Sequence, residues 1–278
     1  MPPNRSILIT GCSSGIGYAV ALGLRNRGYQ VFASARRQAD VTRLQQQGLE
    51  SLQLDLDDSA SIQHALERVL AETGGELYAL FNNGAFGQPG AVEDLSRQVL
   101  REIFETNLFG WLELANLVIP VMRRQGYGRI IQNSSVLGFV AMPYRGAYNA
   151  SKFALEGLTD TLRLELHGSG VYVSLIEPGP ITSKFRSNAL AKFNAHIDRE
   201  RSVHREQYAA MLERLNKPGP AAPFTLPAEA VLKPVLHCLE HKHPRARYPV
   251  TVPTYLFTYL KRILPTRILD RILCKAGG

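Results

Sequence analysis

Tyr148 and Lys152 stand four residues apart in the run Tyr148-Asn149-Ala150-Ser151-Lys152, and Ser135 lies thirteen residues before the tyrosine. The stretch from Tyr148 to His167 is predicted to be helical, which places both side chains on one face and lets the lysine ammonium approach the phenol. A free tyrosine ionises at a pH of about 10, and a cation within a few ångströms lowers that by roughly one to three units. The phenol would then exchange protons near neutral pH. Ser135 falls on a loop after the apolar strand Arg129-Ile130-Ile131-Gln132-Asn133, where its hydroxyl could hydrogen-bond a substrate oxygen beside the phenol. The three groups together would polarise a carbonyl. A lone tyrosine and lysine at helical spacing are commonly a surface or snorkelling pair, so this chemistry needs support from the rest of the chain.

Support comes from the amino-terminal end. Ser6-Ile7-Leu8-Ile9-Thr10 is a short apolar run leading into Gly11-Cys12-Ser13-Ser14-Gly15-Ile16-Gly17, followed by a helical pattern through Tyr18, Val20, Ala21 and Leu24. This reads as strand, glycine turn, helix. Glycines let the backbone approach a diphosphate, and the helix start offers unpaired amides and a positive dipole end to an anion. The Gly-x-x-x-Gly-x-Gly spacing differs from the commoner G-x-G-x-x-G fingerprint.

That variant turn, taken with Ser135, Tyr148 and Lys152, resembles the short-chain dehydrogenase/reductase family over nearly the whole chain. Further motifs of the family follow in order: Asp55-Leu56, Asn82-Asn83-Gly84-Ala85, Asn107 in Thr106-Asn107-Leu108-Phe109-Gly110, and Pro178-Gly179-Pro180-Ile181-Thr182. One departure is visible, since the family usually reads Asn-Asn-Ala-Gly where this chain reads Asn82-Asn83-Gly84-Ala85. Within the family, the glycine turn, Ser151-Lys152-Phe153-Ala154-Leu155-Glu156-Gly157 and Ser174-Leu175-Ile176-Glu177-Pro178-Gly179-Pro180 resemble the branch of 17β-hydroxysteroid and retinol dehydrogenases and bacterial aldehyde reductases. The resemblance implies a Rossmann-like α/β domain with a doubly wound parallel sheet. It implies catalytic roles for Asn107, Ser135, Tyr148 and Lys152, with Asn107 holding a water that links Lys152 to solvent and Lys152 holding the nicotinamide ribose. It also implies that the cofactor meets Gly11, Ser13, Ser14, Gly15, Ile16, Gly17, Asp55, Leu56, Asn82, Tyr148, Lys152, Pro178, Gly179, Ile181 and Thr182. Ser134 is the competing serine, but Ser135 has the family's spacing to Tyr148. A homodimer or homotetramer is implied through the helices of Asn107 and Tyr148, with the apolar run Trp111-Leu112-Glu113-Leu114-Ala115 compatible with such pairing.

Cofactor choice can be read from the second strand. An NAD site usually ends that strand with an acid that accepts from both ribose hydroxyls. Here Val31-Phe32-Ala33-Ser34-Ala35 runs into Arg36-Arg37 instead. No carboxylate repels a 2′-phosphate, and a guanidinium can grip one in bidentate fashion. NADP(H) is therefore expected over NAD(H), with Arg36 as its cofactor-binding contact and Ser13 adding a hydroxyl.

The bulk of the chain fits one domain. Strand-like runs at 6–10, 29–34, 50–54, 77–81, 129–133 and 171–176 alternate with helix-length segments, as parallel βαβ units require. Asp57, Asp58 and Ser59 suit the start of a helix. The pattern breaks at 182–227, read as a substrate-covering insertion whose Phe185, Leu190, Phe193, Tyr208, Met211, Leu212 and Phe224 could wrap a hydrophobic substrate or pack internally. The net charge of +8 concentrates in a basic amphipathic tail, 245–278, where Arg245, Arg247, Lys261, Arg262, Arg267, Arg271 and Lys275 face Asp270 alone. Its apolar face from Tyr255 to Leu273 is expected to pack on the domain or a sister subunit, with peripheral membrane contact as the lesser alternative. Nucleic acid is not expected as a partner.

Cys12, Cys238 and Cys274 are widely spaced and suggest neither a disulfide framework nor a zinc site. The seven histidines show no H-E-x-x-H pattern, so no metal is expected, and no G-x-S-x-G elbow supports a hydrolase. The first strand begins close to Met1, leaving no room for a signal peptide, and no apolar run reaches the roughly eighteen residues of a membrane span. A cytoplasmic location is expected. The reading is an NADP(H)-dependent oxidoreductase acting on a hydrophobic aldehyde or ketone or the matching alcohol, with Tyr148 as general acid/base. The alternative from another class is a dinucleotide-sensing module whose basic tail engages a membrane or nucleic acid.

Overall fold

The computed structural model describes residues 5–220 and 222–277. Seven parallel strands form one sheet in the order β3-β2-β1-β4-β5-β6-β7. They are β1 (Ser6–Ile9), β2 (Gln30–Ala35), β3 (Glu50–Gln53), β4 (Ala79–Asn82), β5 (Gly128–Asn133), β6 (Val171–Glu177) and β7 (Arg247–Pro249). Strand order reverses between β1 and β4, and the crevice at that switch point is where ligands bind in sheets of this kind.

The strands read as continuous apolar runs because helices cover both faces. Ile7 and Ile9 turn to one layer, with α1 (Gly15–Arg25), α2 (Gln38–Gln46) and α9 (Leu232–Glu240) packed through Val20, Leu24, Leu44, Val235 and Leu239. Leu8 turns to the other, against α3 (Ser59–Glu72), α5 (Gly110–Gln125) and α6 (Gly146–Glu165) through Ile62, Val69, Trp111, Val118 and Leu155. Asp58 caps α3, its carboxylate accepting from the amides of Ala60 and Ser61 at 2.9 and 3.3 Å. Helix α4 (Arg97–Phe104) joins α5 through a single π-helical turn, Glu105–Phe109.

The insertion after β6 contributes α7 (Phe185–His196) and α8 (Arg205–Asn216). Phe193, Tyr208, Met211 and Leu215 form a small core of their own with Ala91, and Tyr144, Leu190 and Leu212 pack against it. Much of the apolar area in the segment is thus internal packing, while Phe185 and Phe224 stay exposed.

The tail differs from the sequence expectation at its start. Arg247–Pro249 pairs in parallel with β6 as a seventh strand, too short and too polar to read as one. The chain then forms α10 (Val252–Ile263) and α11 (Thr266–Gly277), which seat Phe257, Leu269 and Leu273 on Val136 and Val140. Part of the tail's apolar face therefore packs on its own domain.

Candidate active site

Ser135 follows the end of β5, and its side chain opens the single 3-10 turn Val136–Gly138 by accepting from the Leu137 amide at 3.1 Å. The hydroxyl proton remains free to be donated, and Tyr148 receives that hydrogen bond. Ser134 points elsewhere: its buried hydroxyl lies beside Gly138 near the Glu156 carboxylate, which it helps to hold down, as fits a structural role. Tyr148 and Lys152 both belong to α6, as the spacing required.

Lys152 is almost fully buried. Its Nζ donates to the Asn133 carbonyl at 2.9 Å and lies 4.0 Å from the centroid of the Trp111 ring and 5.8 Å from that of Tyr148. Burial pulls the amine down to about 7, against an upward influence from Glu156 one helical turn later. Burial likewise pushes the Tyr148 phenol up, with the Ser135 hydrogen bond pulling the other way. This corrects the expectation that the lysine alone would lower the tyrosine: with both groups out of water, each neutral form gains.

Behind Lys152 lies a charged cluster that no sequence motif announces. Arg247 of β7 donates to Glu177 at the end of β6 and to Asp160 of α6, each at 2.6 Å, and also to Glu156. The four residues are spread over three elements, so local spacing carries no trace of them. Burial raises both glutamates, Glu177 to about 7.

Asn107 sits fully buried in the π-helical turn. Its amide clamps the backbone of Phe86, donating to the carbonyl at 2.9 Å and accepting from the amide at 3.0 Å, and it donates to Ser151 at 3.3 Å. It therefore braces the loop after β4 against the helix of Tyr148 and Lys152. Asn82 is tied to that frame by donating to the Trp111 carbonyl at 3.1 Å, and Trp111 Nε1 donates to Gly84 at 2.7 Å.

The glycine turn lies at the switch point. Gly11 has φ +72°, and a Cβ there would stand 2.5 Å from the Gly84 Cα, so the two backbones touch. The close approach requires glycine at position 11, whereas a Cβ on residue 84 would stand 3.3 Å from the Gly11 amide nitrogen, so the reversed Gly84-Ala85 order is compatible with the contact. Leu56 closes the same contact from β3's side, its Cδ1 lying 3.1 Å from where a Gly84 Cβ would be. Asp55 turns inward on its own loop, accepting from the Asp57 amide at 3.2 Å. Ser14 caps α1 in an extended conformation, Ile16 packs on the core beneath, and Gly17 backs onto the Gly11 carbonyl. Gly15, with φ +62°, brings Ser183 across the turn. A cleft of about 370 Å³ remains there, lined by Ser14, Gly15, Tyr18, Thr182, Ser183 and Glu229 among others. Thr182 and Ile181 are held by pairing with Leu226, Pro178 accepts from the Val136 amide, and Gly179 packs on Thr251.

Arg36 is exposed at the end of β2 and makes no side-chain contact with the turn; Arg37 pairs with Asp40 at 2.9 Å. The guanidinium that reaches the turn belongs to Arg43 of α2, which donates to the Ser13 carbonyl at 2.6 Å and to Asp40 at 2.9 Å. Its position two turns into a helix leaves no signal at the strand end, where cofactor choice is usually read.

These residues fit a dinucleotide. The turn presents the start of α1 to the cleft, and the Asn82 Oδ1, fully buried at the switch point, has no hydrogen-bond partner among the described residues. Among the described residues no group of side chains could hold a metal ion, and no helix is long and apolar enough to cross a membrane.

A doubly wound parallel sheet with this turn at its switch point, and a serine, tyrosine and lysine meeting beside it, is the frame of a dinucleotide-dependent oxidoreductase. The short chain dehydrogenase family model matches residues 5–193, and the chain belongs to that family of short-chain dehydrogenases/reductases. It is 43% identical over 270 residues to the uncharacterized oxidoreductase YbbO of Escherichia coli K12, covering 97% of this chain and 94% of that protein. Human 17-beta-hydroxysteroid dehydrogenase type 1 is 34% identical over 260 residues, covering 88% and 77% respectively. A short chain dehydrogenase/reductase from Burkholderia phymatum, solved in complex with NAD, superposes with a TM-score of 0.77 at 26% identity, covering 92% and 91%.

Proposed function

We propose that this oxidoreductase uses NADP(H) to interconvert a hydrophobic aldehyde or ketone and the matching alcohol. The observation that carries the reading is the convergence of Ser135, Tyr148 and Lys152 at the carboxyl end of β5, with the Ser135 proton directed at the phenol. A bound nicotinamide dinucleotide supplies the hydride for reduction and accepts it for oxidation. Tyr148 donates its proton to the carbonyl oxygen as negative charge develops there, and Ser135 hydrogen-bonds the same oxygen. Lys152, held on Asn133 and Trp111, would bind the cofactor's ribose hydroxyls and steady the phenolate left after proton donation. Asn107 keeps the Phe86 loop and Ser151 in register with these groups.

The preference for NADP(H) rests on Arg43, which reaches the Ser13 carbonyl, and on Arg36 and Arg37 standing after β2 where an acid would select NAD(H), with Asp40 already paired to Arg37 and Arg43. An apolar substrate is favoured by the T-shaped contact of Phe185 with Tyr148, ring centroids 5.3 Å apart, and by a steroid-acting relative. NADP(H) pools favour the reductive direction, and a cytoplasmic location suits that cofactor. A homodimer is supported by the exposed Phe109, Phe153, Leu158 and Leu164 of the α5–α6 face. Trp111, Leu114 and Ala115, read as pairing residues from sequence, are instead buried against the sheet.

The test is NADPH or NADH absorbance against time with short aldehydes, long-chain aldehydes, retinal and keto-steroids. Replacement Tyr148→Phe is expected to lower kcat by roughly a hundred- to ten-thousand-fold while leaving cofactor binding intact. Unchanged turnover in that variant would overturn the assignment.

A further inference from the structure

Helices α10 and α11 turn two unlike faces to solvent. On α10, Val252, Tyr255, Leu256, Tyr259 and Ile263 are 55, 50, 52, 62 and 74% exposed. At about 100° per residue they fall within one arc of about 100°, on the side away from Phe257 and Thr254, which seat the helix on the domain. The helix is thus apolar on both sides, and the domain core accounts for one of them. On α11, Arg267, Arg271 and Lys275 share a single exposed arc opposite the buried Leu269 and Leu273. Neither these cations nor Arg262, which flanks the α10 stripe, makes an ion pair among the described residues.

A contiguous exposed apolar stripe marks an interaction site, and an uncompensated basic stripe beside it selects a partner that is anionic at its surface and apolar beneath. A bilayer with acidic head groups has that profile. Tyr255 and Tyr259 carry an apolar ring with a polar tip, the chemistry favoured at a membrane interface. Each helix has 12 residues, too few to span the bilayer and suited to lying along it. We propose that the α10–α11 hairpin docks the protein on anionic phospholipid surfaces, the α10 stripe entering the head-group boundary and the α11 cations pairing with lipid phosphates. Because the hairpin packs on Val136 and Val140, directly after Ser135, docking would hold the candidate active site close to the lipid. The inference goes beyond the proposed reaction and is read without cofactor or substrate, so either can fail alone.

The test is co-sedimentation of the full chain with vesicles of phosphatidylcholine, with and without phosphatidylglycerol, over a salt series. Partition is expected to be roughly tenfold or more stronger on the acidic vesicles and to weaken with salt. The double variant Tyr259→Ser/Ile263→Ser should lose binding to both, and Arg267→Glu/Arg271→Glu/Lys275→Glu should lose the preference for acidic lipid, each with an unaltered melting temperature. Should a variant fail to fold, the lipid and salt dependence of the unaltered chain decides. The proposal is overturned if the protein stays in the supernatant with both vesicles, or binds both equally without salt dependence. It is equally overturned if folded variants bind as the unaltered chain does. A dimer that Tyr259→Ser/Ile263→Ser dissociates, with no vesicle binding, would assign the stripe to a second copy instead.

Discussion

Replacing Arg247 by methionine removes the one cation that serves Glu156, Glu177 and Asp160 together. Glu177 is 2% exposed and its carboxyl is already pushed up to about 7, first by burial and then by Glu156. A carboxyl raised above its ordinary value loses stability as pH rises from that value, about 4.5, to the folded one, after which the loss levels off. Without Arg247 the folded value climbs further, so the loss continues past pH 7 where the unaltered protein has levelled. Each further pH unit over which the group stays protonated adds about 1.4 kcal/mol, or about 2 kcal/mol at a pH of about 8.5. Glu156, raised by the same burial, adds to the difference in the same direction. A total of about 2–3 kcal/mol lies at or below the lower end for breaking a buried pair, as expected for a guanidinium side chain that is 34% exposed. Burial would raise Asp160 too, but Arg163 at 3.0 Å remains to hold it low, so it contributes little. In a thermal melt the variant should fall by roughly 3–5 °C at the higher pH and by a small fraction of that near pH 5, where Glu177 is largely neutral in either protein. A destabilisation of the same size at both pH values would refute the electrostatic account and assign the effect to packing.

The Arg43→Ala variant should raise the KM for NADPH about tenfold or more and leave that for NADH nearly unchanged, while Arg36→Ala does less; equal effects on both cofactors would remove Arg43 from the phosphate site. Lys152 has a folded pKa of about 7, below its ordinary value, so the unaltered protein should gain stability as pH rises from 7 toward 10.5. Lys152→Met should remove that slope, measured in cofactor-free melts at acidic and alkaline pH, and an unchanged slope would contradict the burial argument. At the turn, Gly11→Ala places a Cβ 2.5 Å from the Gly84 Cα with φ +72°, and cofactor affinity should drop at least tenfold by fluorescence titration. Gly84→Ala meets only a flexible Leu56 methyl at 3.1 Å and the Gly11 backbone at 3.3 Å, so it should bind cofactor within a few-fold of the unaltered chain.

Several features are legible in the amino-acid order alone. Six strands follow from apolar runs of strand length, because a parallel sheet covered on both faces leaves no polar alternation to blur them. The glycine turn, Ser135, Tyr148 and Lys152 follow from local spacing, since a helix converts a separation of four into a shared face. The capping of α3 by Asp58 is equally local.

Tertiary structure decided what depends on residues far apart in the chain. The strand β7 offers three residues ending in a proline, and it exists only because Glu177 and its neighbours present an unpaired edge. Arg43 reaches Ser13 across thirty residues because α1 and α2 pack on the same face of the sheet. The electrostatic state of Lys152 reverses the simple expectation because Trp111 and Asn133 enclose it, and desolvation outweighs a single neighbouring charge. Spacing along a helix determined which groups could meet; the enclosing layers determined how much water each retained, and hence its charge.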